Sequence, residues 1–310
     1  MSKNPRTQRY LVAIEYIGTR FSGSQQQLNC RTVVGALEEA FHKFIGQPVS
    51  IFCSSRTDAG VHALSNVCHV DVERISKRKP GEVLPPHDPS VVRRAVNHFL
   101  QKNDGDISVI DVRCVPNDFH ARYKAQERMY FYRLLSGSEP LSIFERERAW
   151  HVPEKLDLHA MQAKSPIRTL EELNVSEVPP TPYFPSITEK EQNNSSIEDF
   201  HACSSKPEID PVTSSFSNSD DMVDSDCKTD QTFGMRRRHR CYVITARARS
   251  FLYHQVRLLV GVLKCAGTGE LTTSDVERIL NAKSVTAASP MAPAYGLYLG
   301  RVKYDLPQDA

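Results

Sequence analysis

The chain has 310 residues, enough for one large domain or two ordinary ones, and 40% hydrophobic with 25% charged residues is the composition of a globular protein. It contains no apolar run long enough to span a bilayer, so we expect no membrane partner. Its eight cysteines form no CxxC pair, so we expect an intracellular protein with free thiols and neither a zinc knuckle nor a redox dithiol.

The net charge of +2 conceals an uneven distribution along the sequence. Residues 176–234 contain twelve acidic residues and three lysines, a net charge of −9. Subtracting these from the 39 basic and 37 acidic residues of the chain leaves 36 against 25, a net charge of +11. A basic body of this kind is compatible with a phosphate-backbone partner, although basic charge alone identifies no partner.

The N-terminal segment is basic and carries no acidic residue in its first ten positions. It lacks the apolar region of a secretory signal. Lys3, Arg6 and Arg9 fit either a weak mitochondrial address or a flexible basic N-terminus, which we assign to residues 1–8. We therefore expect the protein in the mitochondrion or the cytoplasm, rather than in the nucleus.

The first third of the sequence predicts an alternation of strands and helices. Strand formers alternate in RYLVAIEY, and apolar residues then recur at helical spacing between Thr32 and Gly46. Over residues 9–115 the order is strand, helix, strand, strand, helix, strand, which is the ferredoxin-like order. The predicted strands are 9–16, 49–55, 66–72 and 106–115, and the predicted helices are 32–46 and 88–100.

The remainder, residues 116–310, predicts a second series of elements that an insertion interrupts. Residues 176–234 are rich in Ser, Pro, Asn and Asp, so they cannot bury enough apolar surface to offset their ordering entropy, and we predict disorder there. The two series together predict an α+β protein with one broad, mostly antiparallel sheet. The later predicted elements are a segment at 124–135, helices at 155–162, 251–267 and 273–282, and a strand at 296–304.

The segment SSRTDAGVHALSNVCHVDV, residues 54–72, places an unusual set of polar side chains in a loop between two apolar stretches. A surface turn needs Asp and Gly, but it does not need Arg56, Thr57 and His62 beside Asp58. Asp58 is therefore either a turn residue or a carboxylate that takes part in chemistry. His62 is either a hydrogen-bonded loop residue or an acid–base group, and Asp58 with His62 offers too few ligands for a closed metal site.

The octapeptide RTDAGVHA resembles the catalytic-loop signature of the TruA-type tRNA pseudouridine synthases. Four further stretches resemble motifs of the same family in the same order: YIGTRFSG, PNDFHARYKAQERMYFYR, SFLYHQVRLLVG and APAYGLYLGRVKY. The resemblance covers nearly everything outside the insertion, and the arrangement is most similar to the animal branch called tRNA pseudouridine synthase-like 1.

The resemblance implies a fold, a reaction and a partner. The fold is α+β, with two ferredoxin-like halves joined into one broad mixed sheet and a basic RNA-binding cleft across it. The reaction is the conversion of uridine to pseudouridine in tRNA, most typically in the anticodon arm, without a metal or an organic cofactor. Members of the family often form homodimers, so a homodimer is a possible assembly.

The resemblance also assigns three catalytic residues. Isomerisation breaks the N1–C1′ bond of uridine, turns the uracil and rejoins it at C5, and an ionised Asp58 can start this as a nucleophile or as a base. Arg257 of the HQVR sequence matches the arginine that pairs with this carboxylate, although almost two hundred positions separate the two. Tyr130 matches the active-site tyrosine, and Tyr132 is the alternative in register.

Substrate binding is assigned to Arg56, Thr57, His62, Arg122 and Tyr132. The target base must leave its stack before it can react, and Arg56 resembles the residue that helps to hold this flipped geometry. Arg122, like His120 beside it, fits either a phosphate contact or a solvated surface. The basic run 235–241 fits either an electrostatic footprint for RNA or the end of a disordered tether.

The sequence departs from the family pattern at two places. Ser24 stands where the family usually has an aromatic residue. After Gln162 the chain runs almost directly into a Ser-Pro-x-Arg segment, so a family segment about as long as a helix with its connection is absent near 162–163. This second departure supports an alternative function, a catalytically impaired RNA-binding isoform or a degenerate copy.

Overall fold

A computed structural model of the chain describes residues 7–76, 78–79, 81–102, 105–162, 170–179, 239–282 and 290–306. Most of the predicted insertion and the join after Gln162 lie outside these residues. No helix in the described ranges is long and apolar enough to cross a membrane.

The N-terminal half contains four strands and two helices in the predicted order. The central strand β1 pairs antiparallel with β3 on one side and with β4 on the other, and the short β2 pairs antiparallel with β3. This is the strand arrangement of a ferredoxin-like unit. The elements are β1 (Thr7–Tyr16), α1 (Val33–Ile45), β2 (Ile51–Cys53), β3 (His62–Glu73), α2 (Pro89–Gln101) and β4 (Ile107–Val115).

Both helices of this half begin where the sequence supplies a capping side chain. Thr32 accepts a hydrogen bond from the Gly35 amide at the start of α1, and Gly46 ends that helix in the left-handed conformation. Asp88 accepts from the Ser90 amide at the start of α2. The buried side chains of both helices cover one face of the sheet and form the core of this half.

The C-terminal half repeats the arrangement, with β5 paired antiparallel to β9 and β8, and β7 at the far edge. The two halves form one sheet through parallel pairing of β3 with β9 at His62–Tyr298 and Ala63–Leu299. The elements are β5 (Glu127–Ser136), β6 (Trp150–Val152), α3 (Leu158–Gln162), β7 (Glu172–Val178), β8 (Arg240–Ala248), α4 (Gln255–Gly267), α5 (Thr273–Ala282) and β9 (Leu297–Lys303).

The predicted α+β class with one broad, mostly antiparallel mixed sheet is confirmed. Several boundaries differ from the prediction. Helix α4 starts at Gln255, four residues after the predicted start, and helix α3 starts at Leu158, three residues after the predicted start. Among the strands, three differences show the effect of pairing. Strand β1 starts at Thr7, two residues inside the predicted flexible terminus, and β7 extends to Val178, three residues inside the predicted insertion. Strand β3 starts at His62, so the RTDAGVHA segment leads straight into the strand. In each case, pairing with a neighbouring strand outweighs local composition.

Candidate active site

The loop between β2 and β3 carries Asp58 and is tied to the turn that follows β1. The Thr57 amide donates to Ser24 Oγ at 2.8 Å, and the Ser24 amide donates to the Thr57 carbonyl at 3.0 Å. The Thr57 hydroxyl lies 2.8 Å from the hydroxyl of Tyr16. Ser24 thus anchors the loop at the position where the family usually has an aromatic residue, and buried Thr57 holds the loop from inside.

The Asp58 carboxylate contacts two side chains, Arg257 in the first turn of α4 and His254 directly before this helix. Nη1 of Arg257 is 3.3 Å from Asp58 Oδ2, and Nε2 of His254 is 3.2 Å from the same oxygen. No described residue donates a hydrogen bond to Oδ1. Asp58 therefore presents one held oxygen and one free oxygen, and its side chain retains 29% exposure.

The Arg257 side chain is fixed by the segment that precedes β9. Its Nε donates to the Ala292 carbonyl at 2.8 Å, while the Ala292 amide donates to the Arg257 carbonyl at 3.1 Å. Gly261 allows this close approach, because a Cβ there would lie 2.2 Å from the carbonyl oxygen of Pro290. The guanidinium is only 12% exposed, so it is already oriented toward Asp58.

His254 contacts the same carboxylate, although the sequence analysis did not select it. It precedes α4 with φ 59° and ψ 3°, a left-handed conformation that is uncommon for a residue other than glycine. Tyr253 stacks on its ring, with 3.5 Å between centroids and 28° between planes. The spacing of His254 and Arg257, three positions apart at one helix end, was the signal that could have identified it.

Tyr130 and Tyr132 point from the same face of β5, but their surroundings differ. The Tyr130 ring packs edge-on against Phe251 at 5.1 Å. Burial raises the pKa of Tyr130, while a hydrogen bond with Ser55 opposes this rise and the nearby Asp58 carboxylate adds to it. Tyr132 is fully buried, and its hydroxyl donates to the Pro293 carbonyl at 2.7 Å. Tyr130 thus lies within the electrostatic influence of Asp58, whereas Tyr132 holds the segment before β9.

His62 lies inside the protein with both ring nitrogens engaged. Nδ1 accepts a hydrogen bond from the Gly18 amide at 3.1 Å, and Nε2 lies 2.9 Å from the Glu147 carbonyl and 3.1 Å from the Tyr295 carbonyl. Burial lowers the pKa of His62. Of the two sequence interpretations, this arrangement fits the hydrogen-bonded loop residue, and it leaves no nitrogen free for a substrate or a metal.

Arg56 and Arg122 are both exposed, and neither forms an ion pair with a described residue. Arg56 lies two positions before Asp58 in the loop, and Arg122 lies in the connection between β4 and β5. The described part of the chain contains no group of three or more His, Cys, Asp or Glu side chains that could hold a metal ion. The site therefore consists of the Asp58 carboxylate, its two partners at the start of α4, a buried tyrosine and the exposed Arg56 of the same loop.

Comparison with known proteins identifies the family. A profile described as tRNA pseudouridine synthase matches residues 12–124 and 157–305. The protein named tRNA pseudouridine synthase A of Xanthobacter autotrophicus is 35% identical over 317 residues, covering 96% of this chain and 99% of the relative. Its counterpart of the same name in Rhodospirillum centenum is 36% identical over 297 residues, covering 96% and 100% of the two chains. The chain therefore belongs to the tRNA pseudouridine synthase family.

Proposed function

We propose that this chain converts uridine to pseudouridine in the anticodon arm of tRNA, with Asp58 as the reacting carboxylate. The observation that carries the proposal is the contact of both Arg257 and His254 with Asp58 Oδ2, which leaves Oδ1 for the substrate. Membership of the family supports the reaction and the tRNA substrate. The anticodon arm rests on the resemblance alone.

In this mechanism the substrate uridine leaves its stack, and exposed Arg56 stabilises the flipped conformation. Asp58 Oδ1 then attacks C1′ or removes a proton from the sugar, the N1–C1′ bond breaks, and uracil turns within the site. On the nucleophile route C5 displaces the Asp58 oxygen from C1′, and on the base route Asp58 returns the proton to the sugar as C5 joins C1′. C5 then loses its proton and N1 gains one. We assign to Tyr130, whose pKa Asp58 influences, the role of packing its ring on uracil and orienting that proton with its hydroxyl.

Several finer properties extend the proposal. We place the chain in the branch called tRNA pseudouridine synthase-like 1 because the order of its motifs is most similar to that branch. We also propose a homodimer, and a location in the cytoplasm or the mitochondrion, on the basis of the family resemblance and the free cysteines. Analytical sedimentation and imaging of a tagged full chain test these two properties.

A second function, RNA binding without turnover, is favoured by one observation. The helix α3 has five described residues, Leu158–Gln162, and it lies at the point where the sequence lacks a family segment. If this shortening loosens the C-terminal half, α4 will not hold Arg257 and His254 firmly against Asp58.

Site mapping distinguishes the two functions. Purified chain is incubated with an unmodified tRNA transcript, and pseudouridine is mapped by carbodiimide labelling and primer extension. We expect one labelled uridine in the anticodon arm with the natural chain and none with Asp58→Ala. Binding of tRNA by both proteins without any labelled uridine would support the non-catalytic function instead.

A further inference from the structure

Four aromatic rings meet beside the catalytic loop, and none of them belongs to the site around Asp58. Phe52 of β2 stacks on His69 of β3 with 5.3 Å between centroids and 18° between planes. His69 meets His120 edge-on at 4.6 Å, and Tyr123 packs on His120 at 4.3 Å. We name the group of Phe52, His69, His120 and Tyr123 the aromatic platform.

The two histidines of the platform are held as neutral, oriented rings. The Ala121 amide donates to His69 Nδ1 at 3.3 Å, and the Arg122 amide donates to His120 Nδ1 at 3.1 Å. Burial, and then the nearby Arg9 and His120, lower the pKa of His69 to about 4. Desolvation and Arg9 also lower the pKa of His120. At neutral pH both histidines therefore act as flat supports rather than as cations.

The outer two rings of the platform are open to solvent. Tyr123 is 76% exposed and Phe52 is 53% exposed, although its neighbour Ile51 is buried in the core. Phe52 and Tyr123 both pack on His120, and two large exposed aromatic rings that share a support are typical of an interaction site.

Free positive charges surround these rings. The side chains of Arg122 and Lys124 are exposed, and neither makes an ion pair with a described residue. By contrast, Arg9 is engaged by Asp71 at 2.6 Å. Rings flanked by unpaired cations match an unpaired nucleic-acid strand, because bases stack on aromatic rings while phosphates bind Arg and Lys.

The platform is also joined to the catalytic loop. Arg128 of β5 donates through Nη2 to the Arg122 carbonyl at 3.1 Å and to the Ser54 carbonyl at 3.0 Å, and through Nε to Ser55 Oγ at 3.1 Å. Through Arg128, the segment that carries His120 and Tyr123 is fixed to the start of the loop that carries Asp58.

We propose that the aromatic platform binds an unpaired nucleobase of the RNA substrate, other than the reacting uridine, while Arg122 and Lys124 bind the adjoining phosphates. This inference rests on the proposed function, because it takes RNA as the substrate.

The test compares binding of two RNAs of equal length, a hairpin with a seven-nucleotide loop and a fully paired duplex, by fluorescence anisotropy at fixed salt. With Phe52→Ala/Tyr123→Ala, we expect the Kd for the hairpin to rise about tenfold, within the range for base–aromatic stacking. The duplex Kd should stay within about twofold. The single variant Tyr123→Phe keeps the ring and should bind like the natural chain, as should Leu28→Ala, which removes a side chain that is 93% exposed elsewhere.

The salt dependence of the Kd for RNA distinguishes the contribution of the cations from that of the rings. Arg122→Gln and Lys124→Gln should each reduce the slope of log Kd against log salt by about 0.7, whereas the alanine variants of the rings should leave the slope unchanged. If the double variant melts at a lower temperature than the natural chain, the single variant Tyr123→Ala replaces it in the binding measurements.

Three results would overturn the proposal. One is an unchanged hairpin Kd in the ring variants, and a second is an equal loss on hairpin and duplex. The third is loss of self-association in sedimentation with unchanged RNA binding, which would assign the surface to a second copy of the chain. Pseudouridine formation at saturating RNA is measured in parallel. If pseudouridine forms but the ring variants bind the hairpin as tightly as the natural chain, only this inference fails. If no pseudouridine forms but the ring variants bind the hairpin more weakly, only the proposed function fails.

Discussion

The two halves of the molecule place a helix at the same point of the ferredoxin-like order, but the two helices differ in length. Helix α1 of the N-terminal half has 13 residues with a Thr32 cap and a Gly46 end. Helix α3 of the C-terminal half has five residues. Both halves nevertheless have the same strand order, so the pairing of strands, rather than the length of this helix, determines the arrangement of the sheet.

The C-terminal half supplies both a helix that supports the fold and the residues that contact Asp58, and these lie in different places. Asp58 lies in the N-terminal half, whereas Arg257 and His254 lie at the start of α4 in the C-terminal half. Helix α3 contacts the other end of α4, where Met161 packs so closely on Gly267 that a Cβ there would lie 2.8 Å from Met161 Cγ. The shorter helix therefore supports α4 without contributing a residue to the contacts of Asp58.

The largest effect is expected where the two halves meet at Asp58. Arg257→Lys keeps the charge but loses the Nε hydrogen bond to Ala292 and the fork that orients the guanidinium. We expect turnover to fall about 100-fold, the size of losing one preorganised electrostatic contact, with an unchanged melting temperature. Single-turnover kinetics measure this, and Arg278→Lys on the exposed face of α5 is the matched control. An Arg257→Lys variant as active as the natural chain would show that the contact has no catalytic role.

The next largest effect is a loss in the free energy of unfolding when a buried side chain of α1 or of α3 is truncated. Leu37→Ala removes a fully buried side chain of α1 and should lower the free energy of unfolding by about 3 kcal/mol. Met161→Ala in α3 should cost about 2 kcal/mol, because a short helix can settle into the cavity that the substitution leaves. Urea unfolding of both variants measures the two values. Equal or reversed losses would mean that α3 is packed as firmly as α1.

A smaller effect is expected at His254. Its Nε2 lies 3.2 Å from Asp58 Oδ2 and orients the carboxylate, so His254→Ala should lower turnover about tenfold with little change in the KM for tRNA. His254→Asn should retain more activity, because Asn tolerates the left-handed backbone and keeps an N–H donor. If both substitutions are equally active, the ring does not position Asp58.

A pH dependence that originates in the N-terminal half is expected from His69. The pKa of His69 is about 4 in the folded protein, against an ordinary value of 6.5. Between these values the unfolded chain binds a proton that the folded chain does not, so the free energy of unfolding falls as pH decreases from 6.5 to 4. His69→Gln keeps an acceptor for the Ala121 amide and should flatten this dependence. Urea unfolding at a series of pH values measures the slope, and an unchanged slope would contradict the assignment.

The strands of the N-terminal half, the helices and the C-terminal strand β9 were predictable from sequence, because period-two and helical patterns identified them, whereas β6, β7 and β8 were not predicted. The approach of Arg257 to Asp58 followed from the family motifs, and the structure brings them within 3.3 Å. The hydrogen-bonded role of His62 was one of two sequence interpretations, but its partners, and the Tyr16 partner of Thr57, were not predictable because only the folded chain brings these distant groups near. Strand pairing across long separations likewise set the boundaries that local composition misplaced.

The most direct test of the central claim is single-turnover release of tritium from C5 of uracil in labelled tRNA, comparing the natural chain with Asp58→Asn. Asn keeps the size and one oxygen of Asp58 but cannot act as a carboxylate nucleophile or base. We expect a full burst of tritium with the natural chain and none with the variant, while both bind tRNA with the same Kd. Tritium release by Asp58→Asn at a rate near that of the natural chain would contradict the account.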